Sequence, residues 1–235
     1  ICSTFTRERT LAAARLTSPE LAKHIEIAGE VFRLGIQPGT YIPEHQRKDG
    51  VANVLFVGAL KPRKGILEIL KGCSAFHKRS EQKFHVHLVG EYAEDAPYIQ
   101  ELFAFVQSSG MEPMVTFHGH ASEEALDALY KEGDLFMMLS KDDHKNFEGF
   151  GLVFLEANSY GIPTIGSLHS GCTEAIDEGK SGYVVEPWDA EAVAQRMQWI
   201  LEEGRIARAD CRAWADSHNL AQQAETVEAC YARIG

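Results

Sequence analysis

Short apolar runs alternate with longer amphipathic segments between residues 53 and 202, and this alternation limits the possible folds more than any other feature of the sequence. Apolar runs of two to five residues are typical of strands buried on both faces, and the segments between them have the length of helices. The predicted strands are Val54–Val57, Val86–Val89, Val115–Phe117, Leu135–Leu139, Thr164–Ile165 and Tyr183–Val185. The predicted helices are Gly65–Arg79, Pro97–Ser108, Glu123–Lys131, Leu152–Tyr160, Thr173–Glu178 and Ala190–Glu202. The sequence therefore predicts an α/β fold, a parallel sheet with helices on both faces that binds its ligand at the carboxyl ends of the strands.

The charge and the cysteine content narrow the range of functions. The 235 residues include 23 Lys and Arg against 34 Asp and Glu, a net charge of −11, which argues against a nucleic-acid-binding protein. An acidic chain can still bind phosphate through one well-placed Lys and a helix N-terminus. No apolar run approaches the roughly 20 residues of a membrane span. The 5 cysteines are widely spaced without a Cys-x-x-Cys pair, so we expect reduced thiols and a cytoplasmic location.

Residues 1–50 differ in pattern from the rest, and we expect them to be the end of a preceding domain followed by a linker. Ser18 as N-cap and Pro19 at the first helical position predict a helix start, and Gly29 predicts its end. Glu30–Leu34 is a candidate for a short strand. The glycines and prolines that follow are typical of a linker.

The domain boundary is predicted near residues 45–52. Residues 51–202 would form a ligand-binding domain, and residues 203–235 would form C-terminal helices. Leu220–Ile234 is predicted to be one of these helices, with an apolar stripe along one side. Because the chain begins with Ile1 rather than Met, we interpret it as a fragment.

The turn after the first predicted strand carries a group of cations. Gly58 permits a sharp turn, and Lys61, Arg63 and Lys64 follow just before a helix. Cations at a helix start oppose the helix dipole, which favours a bound anion at this place. A solvated basic turn is the alternative interpretation.

A second candidate segment follows the fourth predicted strand. Gly149–Gly151 precedes a helix, and such a turn lets backbone N–H groups approach a phosphate closely. Glu148 and Glu156 flank the turn, where carboxylates are suited to accept hydrogen bonds from hydroxyl groups beside the phosphates. Phosphate flanked by polyols describes a nucleotide sugar. Acids that merely stabilise a helix start would account for Glu148 but poorly for Glu156.

These segments resemble motifs of the retaining glycosyltransferases of glycosyltransferase family four, which have the GT-B fold. Phe147–Ala157 is similar to the E-x7-E motif of that family. Four other segments resemble family motifs in the same order along the chain: Gly58–Gly65 (G-R-L-x-x-x-K-G), Gly161–Ile165 (G-x-P-V-V), Ser170–Ile176 (S-G-G-x-x-E-x-V) and Gly179–Val185 (D-G-x-x-G-x-L-V). The agreement covers residues 30 to 202.

The resemblance implies that the chain is the C-terminal donor-binding half of a GT-B enzyme, a Rossmann-like domain. Such an enzyme transfers a hexose from a UDP- or GDP-linked sugar to a hydroxyl of a saccharide or lipid-linked acceptor. The family favours front-face attack with the leaving phosphate as base, and it requires no metal and no further cofactor. The partners implied are the sugar donor, the acceptor and an N-terminal acceptor domain, without which the chain alone would be inactive. A cytoplasmic location, peripheral at the inner face of a membrane, is also implied.

The resemblance also implies residue roles. Glu148 would face the donor sugar, Lys64 would bind the diphosphate, and these two are the predicted catalytic residues. Glu156 would bind the ribose hydroxyls. The other predicted donor-binding residues are Gly58, Gly149, Phe150, Gly151 and Leu152, with Ala121 beside the base in the turn His120-Ala121 after the third strand.

The sequence departs from the family pattern at two places. Ala59 stands where the family usually has Arg, which removes one diphosphate cation, and Lys61 and Arg63 are the candidates to replace it. Six residues, Lys141–Asn146, extend the loop before Phe147, as in relatives that build bacterial lipid-linked or cell-surface glycans. Because of Ala59, a non-catalytic or degenerate nucleotide-sugar-binding module is the alternative function.

Three other interpretations were weighed. Four histidines near the second and third strands form a candidate metal site: His85, His87, His118 and His120. Gly149–Gly151 is also part of a weak dinucleotide fingerprint of an NAD-dependent oxidoreductase, but Phe154 stands where the third glycine is required. Cys172 has no evident base partner for a nucleophilic role.

Overall fold

Six parallel strands form one sheet in the described part of the computed structural model, which comprises residues 1–32, 34–41, 43, 45–142 and 146–234. In chain order the strands are β1 (Ala52–Val57), β2 (Phe84–Val89), β3 (Val115–Gly119), β4 (Leu135–Met138), β5 (Thr164–Ser167) and β6 (Gly182–Val185). The predicted α/β fold is confirmed, and the predicted strand ends differ by at most two residues. Every residue of β4 is buried, because a central strand covered on both faces can be continuously apolar.

Helices surround the sheet. In chain order they are α1 (Thr4–Thr17), α2 (Pro19–Ala28), α3 (Ile66–Arg79), α4 (Pro97–Ser108), α5 (Glu123–Glu132), α6 (Leu152–Ser159), α7 (Ala190–Leu201), α8 (Arg208–Asp216) and α9 (Leu220–Ile234). α1 was not predicted, and α8 was predicted only as one of the C-terminal helices of residues 203–235, without bounds. Both helices bury few apolar residues. In α8 only Cys211 and Ala215 are buried, four residues apart on the side that packs on α6.

The strand order places a reversal at the centre of the sheet. The order across the sheet is β3-β2-β1-β4-β5-β6, so the chain moves outward from β1 in one direction and from β4 in the other. Since crossovers between parallel strands are right-handed, α3 and α4 cover one face while α5 and α6 cover the opposite face. In such sheets the ligand crevice lies where the order reverses, beyond the carboxyl ends of β1 and β4.

Two predicted elements are wrong. Thr173–Glu178 is not an α-helix, because the chain forms a short 3-10 helix at Gly171–Glu174 and then a turn in which the Asp177 N–H donates to the Ser181 hydroxyl. The described residues of Glu30–Leu34 form no strand. A strand needs a neighbour for its backbone groups, and here Phe32 makes a single hydrogen bond to the Ile1 carbonyl.

The first 28 residues form a helical hairpin with an apolar cluster of its own. Ser3 and Ser18 cap α1 and α2 by accepting backbone N–H groups, which confirms the predicted start of α2. The hairpin buries Leu11, Ala14, Ala22 and Ile25, which are separate from the core around the sheet. The predicted division of the chain at residues 50 and 202 stays a prediction.

Two further predictions fall partly outside the described residues. The extended loop Lys141–Asn146 includes positions 143–145, and the stripe of α9 includes the side chains of Tyr231 and Ile234. Of the rest of that stripe, Leu220 is 56% exposed. Among the described helices, none is both long enough and apolar enough to cross a lipid bilayer.

Candidate functional site

The loops that follow β1 and β4 meet at the reversal of strand order. After β1 the chain forms a short 3-10 helix, Pro62–Lys64, and enters α3 at Gly65. Gly65 has a φ of 71°, and a methyl group there would overlap the Leu139 carbonyl oxygen. The backbone N–H of Lys141 also donates to the Arg63 carbonyl at 2.7 Å. The basic turn therefore lies directly against the end of β4.

Lys64 and Glu148 form an ion pair at this junction. Lys64 Nζ lies 2.5 Å from Glu148 Oε2 and 3.5 Å from the Met138 sulfur. The two charged side chains are only 15% and 16% exposed, so water screens them weakly. Arg63 Nη1 lies 4.0 Å from the same oxygen, is buried, and has no hydrogen-bond partner among the described residues. Two cations thus face one carboxylate, an arrangement with positive charge left for an anionic ligand.

The loop from Glu148 to α6 presents its backbone. Gly151 has a φ of 85° and precedes α6, and no side chain of the described residues caps the first N–H groups of that helix. Phe150 turns its ring into the core, so its contribution to a site is limited to its backbone. Leu152 begins α6 and is half-buried. Uncapped N–H groups at the start of a helix form a binding place for phosphate.

Glu156 lies one turn into α6 and faces a cavity of about 560 Å³ between α5 and α6. The buried Tyr130 hydroxyl lies beside this carboxylate without a well-aligned hydrogen bond to a described residue. Burial raises the pKa of Glu156, and the Tyr130 hydroxyl offsets part of that rise. A carboxylate and a neighbouring hydroxyl in one cavity suit a ligand that carries hydroxyl groups of its own.

The ends of three neighbouring strands are joined by glycines. The Gly58 N–H donates to the Val89 carbonyl at 2.9 Å, and the Gly90 N–H donates to the Gly119 carbonyl at 2.9 Å. Gly58 thus joins the ends of β1 and β2 just before the basic turn, and its donor-binding role stays a prediction. Ala121 follows β3, two strands away from β1 and roughly 10 Å distant on strand spacing. It lines a separate cavity of about 450 Å³, so the structure does not bring it together with Lys64 and Glu148.

The histidines near β2 and β3 bond to one another and to polar neighbours. His87 Nδ1 lies 2.9 Å from His118 Nε2, and His87 Nε2 lies 3.1 Å from Asn53 Oδ1. Burial, together with the smaller effects of His85 and His118, lowers the pKa of His87 to about 4. Within the described ranges, no group of three or more His, Cys, Asp or Glu side chains is arranged to hold a metal ion.

Two other sequence candidates lie in the core. Cys172 is buried, which raises the pKa of its thiol, and its sulfur lies 2.8 Å from the Ser170 hydroxyl. A buried neutral thiol is a poor nucleophile. Phe154, at the position of the missing third glycine, packs its ring against Phe136 at 5.4 Å between centroids.

Sequence analysis missed the N-terminal helix as a neighbour of this site. Ser3 and Thr6 donate their hydroxyls to the Gly149 carbonyl, and Phe5 packs edge-on against Phe147 with ring centroids 5.5 Å apart. The one signal in the sequence was a Ser followed by helix-compatible residues, and it says nothing about a contact 146 residues away.

The chain matches a known protein family. The family described as "Glycosyl transferases group 1" matches residues 39–218, which is more than half of the chain. A GDP-mannose-dependent alpha-mannosyltransferase of Corynebacterium glutamicum is 32% identical over 217 residues, which cover 88% of this chain and 48% of that protein. A mannosylfructose-phosphate synthase of Agrobacterium fabrum is 31% identical over 156 residues, covering 65% of this chain and 33% of that protein. The chain thus spans between a third and a half of the length of these relatives.

Solved structures show the same fold. A glycosyltransferase from Rickettsia africae superposes with a TM-score of 0.75 at 17% identity, covering 97% of this chain and 61% of that chain. HepE of Anabaena, crystallised with UDP and glucose, superposes with a TM-score of 0.72 at 20% identity, covering 87% of this chain and 57% of that one.

Proposed function

We propose that this chain, which belongs to the glycosyl transferases group 1 family, binds a nucleoside diphosphate sugar and forms the donor-binding part of a retaining hexosyltransferase. The observation that carries the proposal is the Lys64–Glu148 pair, 2.5 Å apart at the reversal of strand order and beside the uncapped start of α6. Cationic and N–H groups for a diphosphate and a carboxylate for sugar hydroxyls meet there. This is the combination that a sugar nucleotide needs.

Each group has a distinct task in the proposed reaction. Lys64 and the N–H groups at the start of α6 bind the diphosphate and stabilise the charge that develops on it as the bond to the sugar breaks. Glu148 accepts hydrogen bonds from hydroxyls of the hexose. The acceptor hydroxyl attacks from the face that the diphosphate leaves, and the leaving phosphate takes its proton, so the anomeric configuration is retained.

The nucleoside would extend from the diphosphate toward α5. Glu156 and the Tyr130 hydroxyl lie in the cavity between α5 and α6, where they can bind the two ribose hydroxyls. Gly58 would line the floor beside the diphosphate. Ala121 stays a proposal for the base only, since it faces a different cavity.

The relatives support a sugar-nucleotide donor without deciding the nucleotide. One is named as dependent on GDP-mannose, and HepE was crystallised with UDP and glucose. We propose UDP- or GDP-hexose as the donor and a hydroxyl of a saccharide or lipid-linked saccharide as the acceptor. We also propose that the chain is the C-terminal half of a GT-B enzyme of family four, and that acceptor binding requires a second domain.

Titration calorimetry with UDP, GDP, UDP-glucose and GDP-mannose tests the proposal. Glu156→Gln is expected to weaken binding of the free nucleoside diphosphate about 10- to 100-fold, because ribose is present with or without the sugar. Glu148→Gln is expected to weaken only the sugar-linked ligand, and Lys64→Ala both kinds. Equal losses for Glu148→Gln and Glu156→Gln on the free diphosphate would show that the two roles are assigned wrongly. The absence of binding to all four ligands would disprove the donor site.

A further inference from the structure

The first turn of α1 is attached to the loop that carries Glu148. The Ser3 and Thr6 hydroxyls both donate to the Gly149 carbonyl, the latter at 3.0 Å. Ser3 is fully buried, and its oxygen also accepts the Thr6 N–H at 2.9 Å. The carbonyl thus has two donors of its own from a helix that lies far away in the sequence.

Fixing this carbonyl also fixes the next N–H group. In a trans peptide the C=O and the N–H point in opposite directions. With the Gly149 carbonyl directed at α1, the Phe150 N–H is directed away from α1. No described residue accepts a hydrogen bond from the Phe150 or Gly151 N–H, so both remain available to a ligand.

The same turn of α1 also anchors the neighbouring loop after β5. Glu174 accepts the Phe5 N–H at 3.1 Å and the Thr4 hydroxyl at 3.3 Å. Glu174 ends the 3-10 helix whose first residue, Gly171, donates its N–H to the Glu148 carbonyl at 2.8 Å. Two successive carbonyls of the loop are therefore fixed. Gly171 holds the Glu148 carbonyl, and Ser3 and Thr6 hold the Gly149 carbonyl.

Further out, α1 covers the start of the loop. The Phe5 ring packs on the Phe147 ring, and Arg9 lies 5.6 Å from the centre of the same ring. Arg9 also forms an ion pair with Asp142 at 3.2 Å. Asp142 within the Lys141–Asn146 extension and Phe147 directly after it are thus both in contact with α1.

These contacts do not stabilise the apolar core around the sheet. The helical hairpin has its own apolar cluster, separate from the core around the sheet. The family match begins at residue 39, so α1 lies outside the residues from which the family is recognised. The loss of a hydroxyl from α1 is therefore expected to loosen the loop without unfolding the sheet.

We propose that Ser3 and Thr6 are positioning residues for the sugar-donor loop, residues 147–152. They hold the Gly149 carbonyl so that the N–H groups of Phe150 and Gly151 face the donor. Glu148 thereby stays beside Lys64. This inference rests on the proposed function for its ligand, though not for the loop contacts. The start of α1 lies outside the family match, and the proposal is that it orders the site for the sugar-linked ligand.

The test compares hydroxyl removal with two matched substitutions. Thr6→Val and the double variant Ser3→Ala/Thr6→Val remove hydroxyls at nearly constant shape. Thr6→Ser keeps the hydroxyl, and Thr10→Val removes a hydroxyl that only bonds within α1, to the Thr6 carbonyl at 2.7 Å. Two quantities are measured: amide hydrogen exchange of residues 147–152 in the ligand-free chain, and the ratio of affinities for UDP-glucose over UDP and for GDP-mannose over GDP.

We expect about 3- to 10-fold faster exchange in the loop for each lost hydrogen bond, and a similar fall in the affinity ratio for the ligand pair that binds. Thr6→Ser and Thr10→Val are expected to match the unmodified chain in both. If amide exchange of the loop is unchanged in the double variant, the proposal is wrong. This part of the test is made on the ligand-free chain and does not depend on the ligand. Faster exchange with an unchanged affinity ratio would also overturn it, by showing a purely structural contact. If no nucleotide binds the unmodified chain, the proposed function is wrong, and the exchange result still decides whether Ser3 and Thr6 order the loop.

Discussion

At the scale of single residues, Glu156 is held where its charge is costly. Burial raises the pKa of its carboxyl group, and no cation is among the groups that act on it. The buried Tyr130 hydroxyl beside it makes only a poorly aligned hydrogen bond to this carboxylate. A ligand with two neighbouring hydroxyls would form hydrogen bonds with both groups at once. The buried pair therefore destabilises the ligand-free chain and contributes to the affinity for such a ligand.

Glu156→Gln is therefore expected to make the ligand-free chain more stable while it weakens nucleotide binding. Because the folded-state pKa is raised, the stability associated with this group is present at low pH and is lost as pH rises through that pKa. Gln has no charge to bury, so the variant should be more stable than the unmodified chain at about pH 8 and equal to it near pH 4. Urea unfolding at both pH values measures this. A variant that is less stable at the higher pH would contradict the argument.

Arg63 is the better candidate to replace the diphosphate cation that is missing at Ala59. Its Nη1 lies 4.0 Å from Glu148 Oε2 and has no hydrogen-bond partner in the described part of the chain, whereas Lys61 is exposed. Arg63→Gln is expected to weaken UDP or GDP binding about 10-fold, with a smaller effect on UMP or GMP. Lys61→Gln is the matched control, since it removes the same charge from the same turn. Equal effects of both changes in calorimetry would indicate general electrostatics instead of a specific contact.

At the scale of elements, close approach between loops sets the geometry of the site. The 3-10 helix Gly171–Glu174 lies against the loop before α6, and a methyl group at Gly171 would overlap the Gly149 carbonyl and lie 2.7 Å from the Glu148 carbonyl. Only a glycine permits the two loops to approach this closely. The register of the sugar-donor loop thus depends on a residue in a different loop.

Gly171→Ala is expected to displace that loop. Overpacking of this kind costs about 1–3 kcal/mol in the free energy of unfolding, and the affinity for a sugar nucleotide should fall with it. Gly179→Ala is the control, because Gly179 has a φ of 78° but open space around it. It should cost about 1 kcal/mol through backbone strain alone and leave ligand affinity unchanged. Calorimetry and urea unfolding on both variants separate displacement of the loop from loss of stability, and equal ligand affinity in the two would disprove the displacement.

At the scale of the whole molecule, the sheet places the proposed donor site at its central crevice. The chain spans between a third and a half of the length of the relatives cited above. We expect the 235-residue chain to bind UDP or GDP but to transfer no sugar by itself, because an acceptor must also be held in line with the donor. Transfer from radiolabelled UDP-glucose or GDP-mannose to a mixture of saccharide acceptors measures this. Product above background from the isolated chain would contradict the expectation.

Much of the fold was predictable, because burial on both faces leaves a local mark. Strands such as β4 are continuously apolar, and α4 begins at Pro97 and ends at Ser108 as its turn residues indicate. The prediction failed where local pattern was weak or where pairing was required. The bounds of α8 were not predicted, because this helix buries only Cys211 and Ala215. The described part of Glu30–Leu34 lacks a neighbouring strand.

The sequence by itself determined which residue types stand at the strand ends, since the turn after each apolar run is a local feature. The basic turn with Lys64, and Glu148 with Gly151, were singled out in that way, whereas the resemblance to family motifs gave Lys64 and Glu156 their separate predicted roles. Only the tertiary structure decided which of them meet. Lys64 and Glu148 are 84 residues apart and are joined because the strand order reverses between β1 and β4, and the contact of Ser3 with Gly149 spans 146 residues. The local pattern of side chains indicates which residues are buried. Long-range contacts depend instead on the order of the strands and the packing of the loops, and no local pattern predicts the order or the packing.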